Sequence, residues 1–489
     1  MNNSRRVLSS FSLTTMVLLL LRQIILLHLI ISSTRNKFDL LSFSSSSSSS
    51  SIVVVEAITN GDSRPSVPSS MTYATPTNPT TTESVVVSKD NNDDNEDKHD
   101  NDDDIDENVN DNTTLLQAGR TRTRIFNEMY QKISKGKGFI AALDQSGGST
   151  PKALQAYGMN PSKDNYEDGT DSMYDAVHKM RTRIITNPSF NGDKVIGAIL
   201  FENTMNRQID GLPTCQYLWE RKGIVPFLKI DRGLLPFDKS NNDSSVQFMK
   251  YIPKSELTNL LKKAITDTNG VLFGTKARSV IINGKYPTQI QQLVQQQFAV
   301  ARLVLQEGLV PILEPEIDIH APDKELCEEL LCAALLVELD KLHSLGAVKE
   351  EKYFKASGVY KKWNKQVMIK LSLPRKGNQY SDVMNHPCCL RVIVLSGGYK
   401  QKDACDKLST INFSNIYKIW DDDDDDDNRN SGSRSSTSNS NIIIASFSRA
   451  FVEGLQHSMS NDEFTVCLSK SIDVIYCAST CTTQTDQSD

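Results

Sequence analysis

Residues 308–319 read GLVPILEPEIDI, a β-branched apolar run that stops on two carboxylates, Glu314 and Glu316. A near-continuous apolar run of this length suits a strand buried on both faces, as a covered parallel sheet requires. An amphipathic helical stretch at 288–307 precedes it and another at 324–345 follows, so the strand is one rung of a βα alternation. Outward from this rung, strand-like runs recur at 138–144, 195–201, 224–230, 271–276, 366–371, 390–396 and 442–447. Further helical patterns lie at 171–185, 255–268 and 450–459. Eight such units predict an α/β fold of the (β/α)8 TIM-barrel type, with a doubly wound sheet as the competing arrangement.

The chain of 489 residues is longer than this barrel. Residues 1–32 carry Arg5 and Arg6 ahead of an apolar run broken by Arg22, Gln23 and His28, the pattern of a signal peptide or signal anchor. A bilayer span wants ~20 apolar residues, and arginine near its centre costs ~2.5 to 3.5 kcal/mol, so no stable membrane span is expected in the mature protein. Residues 33–120 are Ser-rich and then acidic, reading as an organelle transit segment followed by a solvated linker. A signal followed by a transit segment implies two membranes and points to a plastid, with the secretory pathway or membrane anchoring as the alternative. The barrel is expected over 121–482, interrupted at 421–440 by seven aspartates and a Ser/Asn/Arg tract that should loop into solvent; 483–489 form a tail.

The formal charge is −6, from 54 bases and 60 acids. Twelve acids crowd between Asp90 and Asp111 and seven run from Asp421 to Asp427; without those stretches and residues 1–89, the body holds 46 bases against 37 acids. That mild excess suits small anionic ligands such as sugar phosphates and is too diffuse for nucleic acid. The nine cysteines are odd in number and form no C-x-x-C pair, which predicts free thiols, among them the neighbours Cys388 and Cys389 and the helix-spaced Cys477 and Cys481. The histidines of the body, His178, His320, His343, His386 and His457, are widely spaced, so neither a metal site nor any other cofactor is expected.

In a barrel of this type the active site gathers at the carboxyl ends of the strands. Asp144 closes the first run (AALDQ), Lys229 and Asp231 the third (FLKID), Lys276 and Arg278 the fourth (GTKAR), and Glu314 and Glu316 the fifth. Each alone reads equally as a cap or ion-pair partner. Lys370 differs, because it sits between Ile369 and Leu371 in an apolar strand, where a lysine is either paired or neutral. Paired, it would meet Glu314. Neutral, it is a Schiff-base nucleophile, helped by desolvation and by the repulsion of Lys276 two strands away. Ser396, Gly397 and Gly398 after the seventh run and Ser448 and Arg449 after the eighth compose a phosphate site, through backbone N–H groups and a guanidinium fork.

The stretches DQSGGSTPKAL, MRTRI, GAILFE, VPFLKID, FGTKARS, GLVPILEPE, VIVLSGGY and ASFSRA, spread from about residue 126 to 479, resemble the class I fructose-bisphosphate aldolases, the bacterial-type branch most closely. By that resemblance Lys370 forms the Schiff base, Glu314 assists carbinolamine dehydration, Asp144 handles the hydroxyl proton in carbon–carbon cleavage, and Lys276 is the cation beside the imine. Ser396, Gly397 and Arg449 match positions at the phosphate next to the keto carbon, and Ser149, Lys152, Lys229 and Arg278 positions at the other phosphate or the hydroxyls. The animal-type C-terminal tyrosine has no counterpart in the ending at 482–489, and Tyr476 is expected to pack. The expected partner is therefore a sugar phosphate, and a homo-oligomer is compatible with the sequence. Two other readings stand beside this one: a different Schiff-base enzyme such as a transaldolase, and a non-catalytic aldolase-like scaffold.

Overall fold

The computed structural model describes residues 107–237, 244–349, 366–421 and 442–481. The eight runs form strands β1 (Phe139–Leu143), β2 (Val195–Phe201), β3 (Val225–Lys229), β4 (Gly274–Ile281), β5 (Val310–Ile317), β6 (Val367–Ser372), β7 (Cys389–Leu395) and β8 (Ile444–Ala445). Each pairs in parallel with its successor, in strict sequence order. The Ala142 N–H donates to the Phe447 carbonyl at 3.1 Å and joins the end of the series to its beginning. A doubly wound sheet would reverse strand order at a switch point; this one does not, and the fold is a TIM barrel.

The principal helices are α1 (Glu107–Lys135), α2 (Asp171–Thr186), α3 (Thr214–Lys222), α4 (Lys254–Asp267), α5 (Pro287–Gln306), α6 (Lys324–Lys349), α7 (Gln401–Asp421) and α8 (Asn461–Thr480). Strand side chains alternate in direction. Phe139, Ala141 and Leu143 join the large core shared with the surrounding helices, while Ile140 and Ala142 join Val225, Phe227, Ile312, Met368 and Ile444 in a second core. That second core also takes Phe126, Met129, Tyr130 and Ile133 of α1, whose i, i+3, i+4, i+7 spacing makes one helix face. Phe126 meets Phe273, just before β4, at 5.0 Å between ring centroids, and Arg391 Nη1 donates to the Ile133 and Gly136 carbonyls at 2.8 Å each. α1 therefore seals the barrel at the strands' amino ends, leaving the carboxyl ends open for chemistry.

Several expectations need correction. α1 begins at Glu107, inside the stretch expected to be linker, because a helix anchored through Phe126 to Ile133 propagates back over residues too polar to announce it. β4 and β5 run on to Ile281 and Ile317, so Lys276, Arg278, Glu314 and Glu316 lie within strands and not at their ends. β8 is two residues long, against six expected. Residues 450–459 form turns, not a helix. Their carbonyls are drawn into side-chain bonds, Ala450 O to Gln401 and Phe451 O to Ser471, and Gly454 has φ +86°, which breaks a helical run. The leader 1–32, most of the 33–120 segment, the insertion beyond Asp421 and the tail 483–489 lie outside the described residues. All nine cysteines are free thiols, and no helix of the described residues is long and apolar enough to cross a membrane.

Candidate active site

Parallel register sets the depth of each inward side chain. Lys276 pairs with Ile312 and Arg278 with Glu314, while Ile312 pairs with Met368, two residues before Lys370. Lys276 thus sits one layer deeper than Glu314 and Lys370, and all three share the inward parity. Glu314, on the strand between them, bridges the two ammoniums: its Oε1 is 3.0 Å from Lys370 Nζ and its Oε2 is 2.8 Å from Lys276 Nζ. Asp144, immediately after β1, reaches Lys276 from across the barrel at 2.6 Å. Lys276, Glu314 and Lys370 are 2 to 4% exposed, so these interactions are made out of water.

The charges set one another. Burial alone would raise the Asp144 carboxyl, but the Lys276 and Lys370 ammoniums outweigh it and hold the group well below the usual carboxylate range. Glu314 is lowered in the same way, against burial, by Lys276 and then Lys370. Burial would lower Lys276, yet Asp144, Glu314 and Asp231 raise it above an ordinary lysine. Lys276 is thus a permanent cation pinned by two carboxylates. Lys370 has its single ion pair among the described residues with Glu314. The ion pair weighed for Lys370 from sequence is therefore present, and it joins the amine to the acid expected to serve it.

Asp231, also buried, lies 2.7 Å from Lys229 and 3.9 Å from Lys276, and accepts the Arg278 N–H at 3.2 Å. Arg278 Nε meets Glu316 at 2.5 Å, an ion pair that raises its already high pKa against burial. After β7, Ser396 is buried and Gly397 takes φ +62°; a Cβ there would stand 2.5 Å from Ile319, so only glycine fits. A Cβ at Gly398 would stand 3.8 Å from the Arg449 guanidinium, so the tripeptide and the arginine meet. Ser149 and Lys152 are exposed on the turn and short helix after β1, where the Ser149 hydroxyl donates to the Ser146 carbonyl at 2.8 Å. Tyr476 packs on the core with Lys194 over its ring.

A lysine amine, two carboxylates and a fixed ammonium in a dry cleft can attack a carbonyl and move the protons that follow. A glycine turn with an arginine beside it can hold a phosphate. Among the described residues no group of three His, Cys, Asp or Glu side chains is arranged to hold a metal ion. The sequence reading singled out neither Gln145 nor Arg181, and it placed Ser448 with Arg449 at the phosphate site without its bond to Gln145. Arg181 does leave a signal, since it falls on the apolar face of Val177, Met180, Ile184 and Ile185, where a charge needs a reason.

The family model for fructose-bisphosphate aldolase class-I matches residues 126–422. A protein of Synechocystis sp. named fructose-bisphosphate aldolase class 1 is 44% identical over 352 residues, 72% of this chain and 97% of that protein. Its namesake from Porphyromonas gingivalis is 42% identical over 72% of this chain and 98% of its own length. The Clostridium acetobutylicum protein of that name is 45% identical over 71% and 97%.

Proposed function

As the chain belongs to the class I fructose-bisphosphate aldolases and is a lyase of that family, we propose that it cleaves fructose 1,6-bisphosphate reversibly through an imine on Lys370. The observation that carries this reading is Glu314 bridging Lys370 and Lys276 inside the barrel. The Lys370 amine adds to the C2 carbonyl, and Glu314 shuttles the protons that expel water. The iminium then draws the electron pair of the C3–C4 bond as Asp144 takes the C4 hydroxyl proton, releasing glyceraldehyde 3-phosphate. Reprotonation and hydrolysis of the enamine give dihydroxyacetone phosphate and restore the amine. Lys276, held as a cation by Asp144 and Glu314, is the fixed charge beside the imine.

Ser396, Gly397, Gly398 and Arg449 hold the phosphate beside the keto carbon; Ser149, Lys152, Lys229 and Arg278 serve the other end. The reaction belongs to glycolysis, gluconeogenesis or the Calvin cycle. Residues 1–120 would deliver the enzyme to a plastid, and a fluorescent reporter fused to them should locate there; a secreted reporter would refute the delivery. For the chemistry, purified protein should cleave fructose 1,6-bisphosphate undiminished by chelators, and Lys370→Met should abolish cleavage. Full activity of that variant would end the proposal.

A further inference from the structure

The barrel is thinnest where its chemistry sits. β8 has two residues, and among the described residues its junction with the β1 side shows one backbone hydrogen bond, Ala142 to Phe447. Asp144 follows one side of that seam and Arg449 the other. Side chains make up the difference. Gln145, next after Asp144, donates from Nε2 to the Ser448 hydroxyl at 2.6 Å, and Ser448 precedes Arg449.

Behind Gln145 stands Arg181 of α2, fully buried. Its Nη2 donates to the Gln145 carbonyl at 2.6 Å and to Gln145 Oε1 at 3.3 Å; its Nη1 donates to Thr204 Oγ1, after β2, at 2.5 Å. Its Nε has no hydrogen-bond partner, and among the described residues no carboxylate lies within ion-pair distance of it. Burial pushes the guanidinium down to about 10 and the nearby Asp144 charge opposes that fall, so it stays a cation at neutral pH. A buried charge bonded to neutral groups is costly, and one bent on the backbone beside a reacting carboxylate has a reason to be there.

We propose that Arg181 and Gln145 are positioning residues for carbon–carbon cleavage. Arg181 fixes the Gln145 backbone and so the neighbouring Asp144 carboxylate. Gln145 carries that register across the seam to Ser448 and Arg449, holding the proton acceptor and the phosphate anchor in one frame. This rests on the aldolase reading of the site. A displacement of about 1 Å in such a frame costs roughly a hundredfold in rate.

The test uses full-length Arg181→Lys, Gln145→Ala, Ser448→Ala and the Gln145→Ala/Ser448→Ala pair, with three readouts: kcat and KM for cleavage, borohydride trapping on Lys370 at saturating dihydroxyacetone phosphate, and the melting temperature. Imine formation calls on Lys370 and Glu314, whereas cleavage needs Asp144. Arg181→Lys and Gln145→Ala should therefore lose about tenfold to a hundredfold in kcat while trapping stays at the wild-type level. The two single variants at the seam should raise KM by factors that do not multiply in the pair. If Arg181→Lys fails to fold, Gln145→Ala decides, because it leaves the backbone carbonyl in place. A folded Gln145→Ala with kcat within twofold of wild type, or trapping that falls in step with kcat, would overturn the proposal. Wild-type protein that traps no adduct would overturn the aldolase reading instead, and with it this one.

Discussion

At the scale of residues, the site is a set of mutually dependent charges. Asp144 and Glu314 are held below their ordinary values of 3.8 and 4.5, so the stability they lend is complete above those values and is lost as pH falls through the lower folded-state ones. Lys276 is held above 10.5, so its contribution is complete below that and is lost only as pH rises through the higher folded-state value. The cluster thus stabilises the fold from about pH 5 to 10 and weakens it on the acid side. The denaturant midpoint should fall below pH 4, and Asp144→Asn should flatten that fall; an unchanged acid limb in the variant would deny the coupling. Lys370 was legible in the sequence because a charge amid Ile369 and Leu371 is conspicuous. Arg181 was passed over because a helix hides inward charge behind a 3.6-residue period, and Gln145 because its role needs a partner 303 positions away.

At the scale of elements, the alternation read from GLVPILEPEIDI located all eight strands, since buried parallel strands are written as apolar runs. Their ends were less legible. β4 and β5 pair along eight residues, a length that register fixes and that the polar residues within the strands conceal. α1 was not read as a helix, because its inward face begins only at Phe126, well past the acidic stretch that ends at Asp111. Its sealing role belongs to the end of the barrel away from the chemistry, which separates stability from function. Phe126→Ala should lower unfolding free energy by about 3 to 5 kcal/mol, read from the urea midpoint, with KM unchanged. A raised KM at full stability would mean that α1 communicates with the mouth.

At the scale of the whole molecule, the low apolar fraction and the local acidity were read as a barrel with polar appendages; the described residues carry the barrel, and the leader, most of the linker and the insertion beyond Asp421 lie outside them. α7 reaches Asp421, the first residue of the aspartate run, and the chain is described again from Ile442 at the entry to β8. An insertion there adds only ~0.6 kcal/mol of closure cost per doubling in length. Replacing residues 422–441 by a short Gly/Ser linker should leave kcat within twofold, whereas a large loss would tie the tract to the seam between β7 and β8.

One covalent bond carries the whole account. Purified protein incubated with dihydroxyacetone phosphate and reduced with borohydride should be inactivated, and peptide mass mapping should find a single modified lysine, Lys370. An adduct on Lys276, Lys229 or any other lysine, or full activity after reduction, would contradict it.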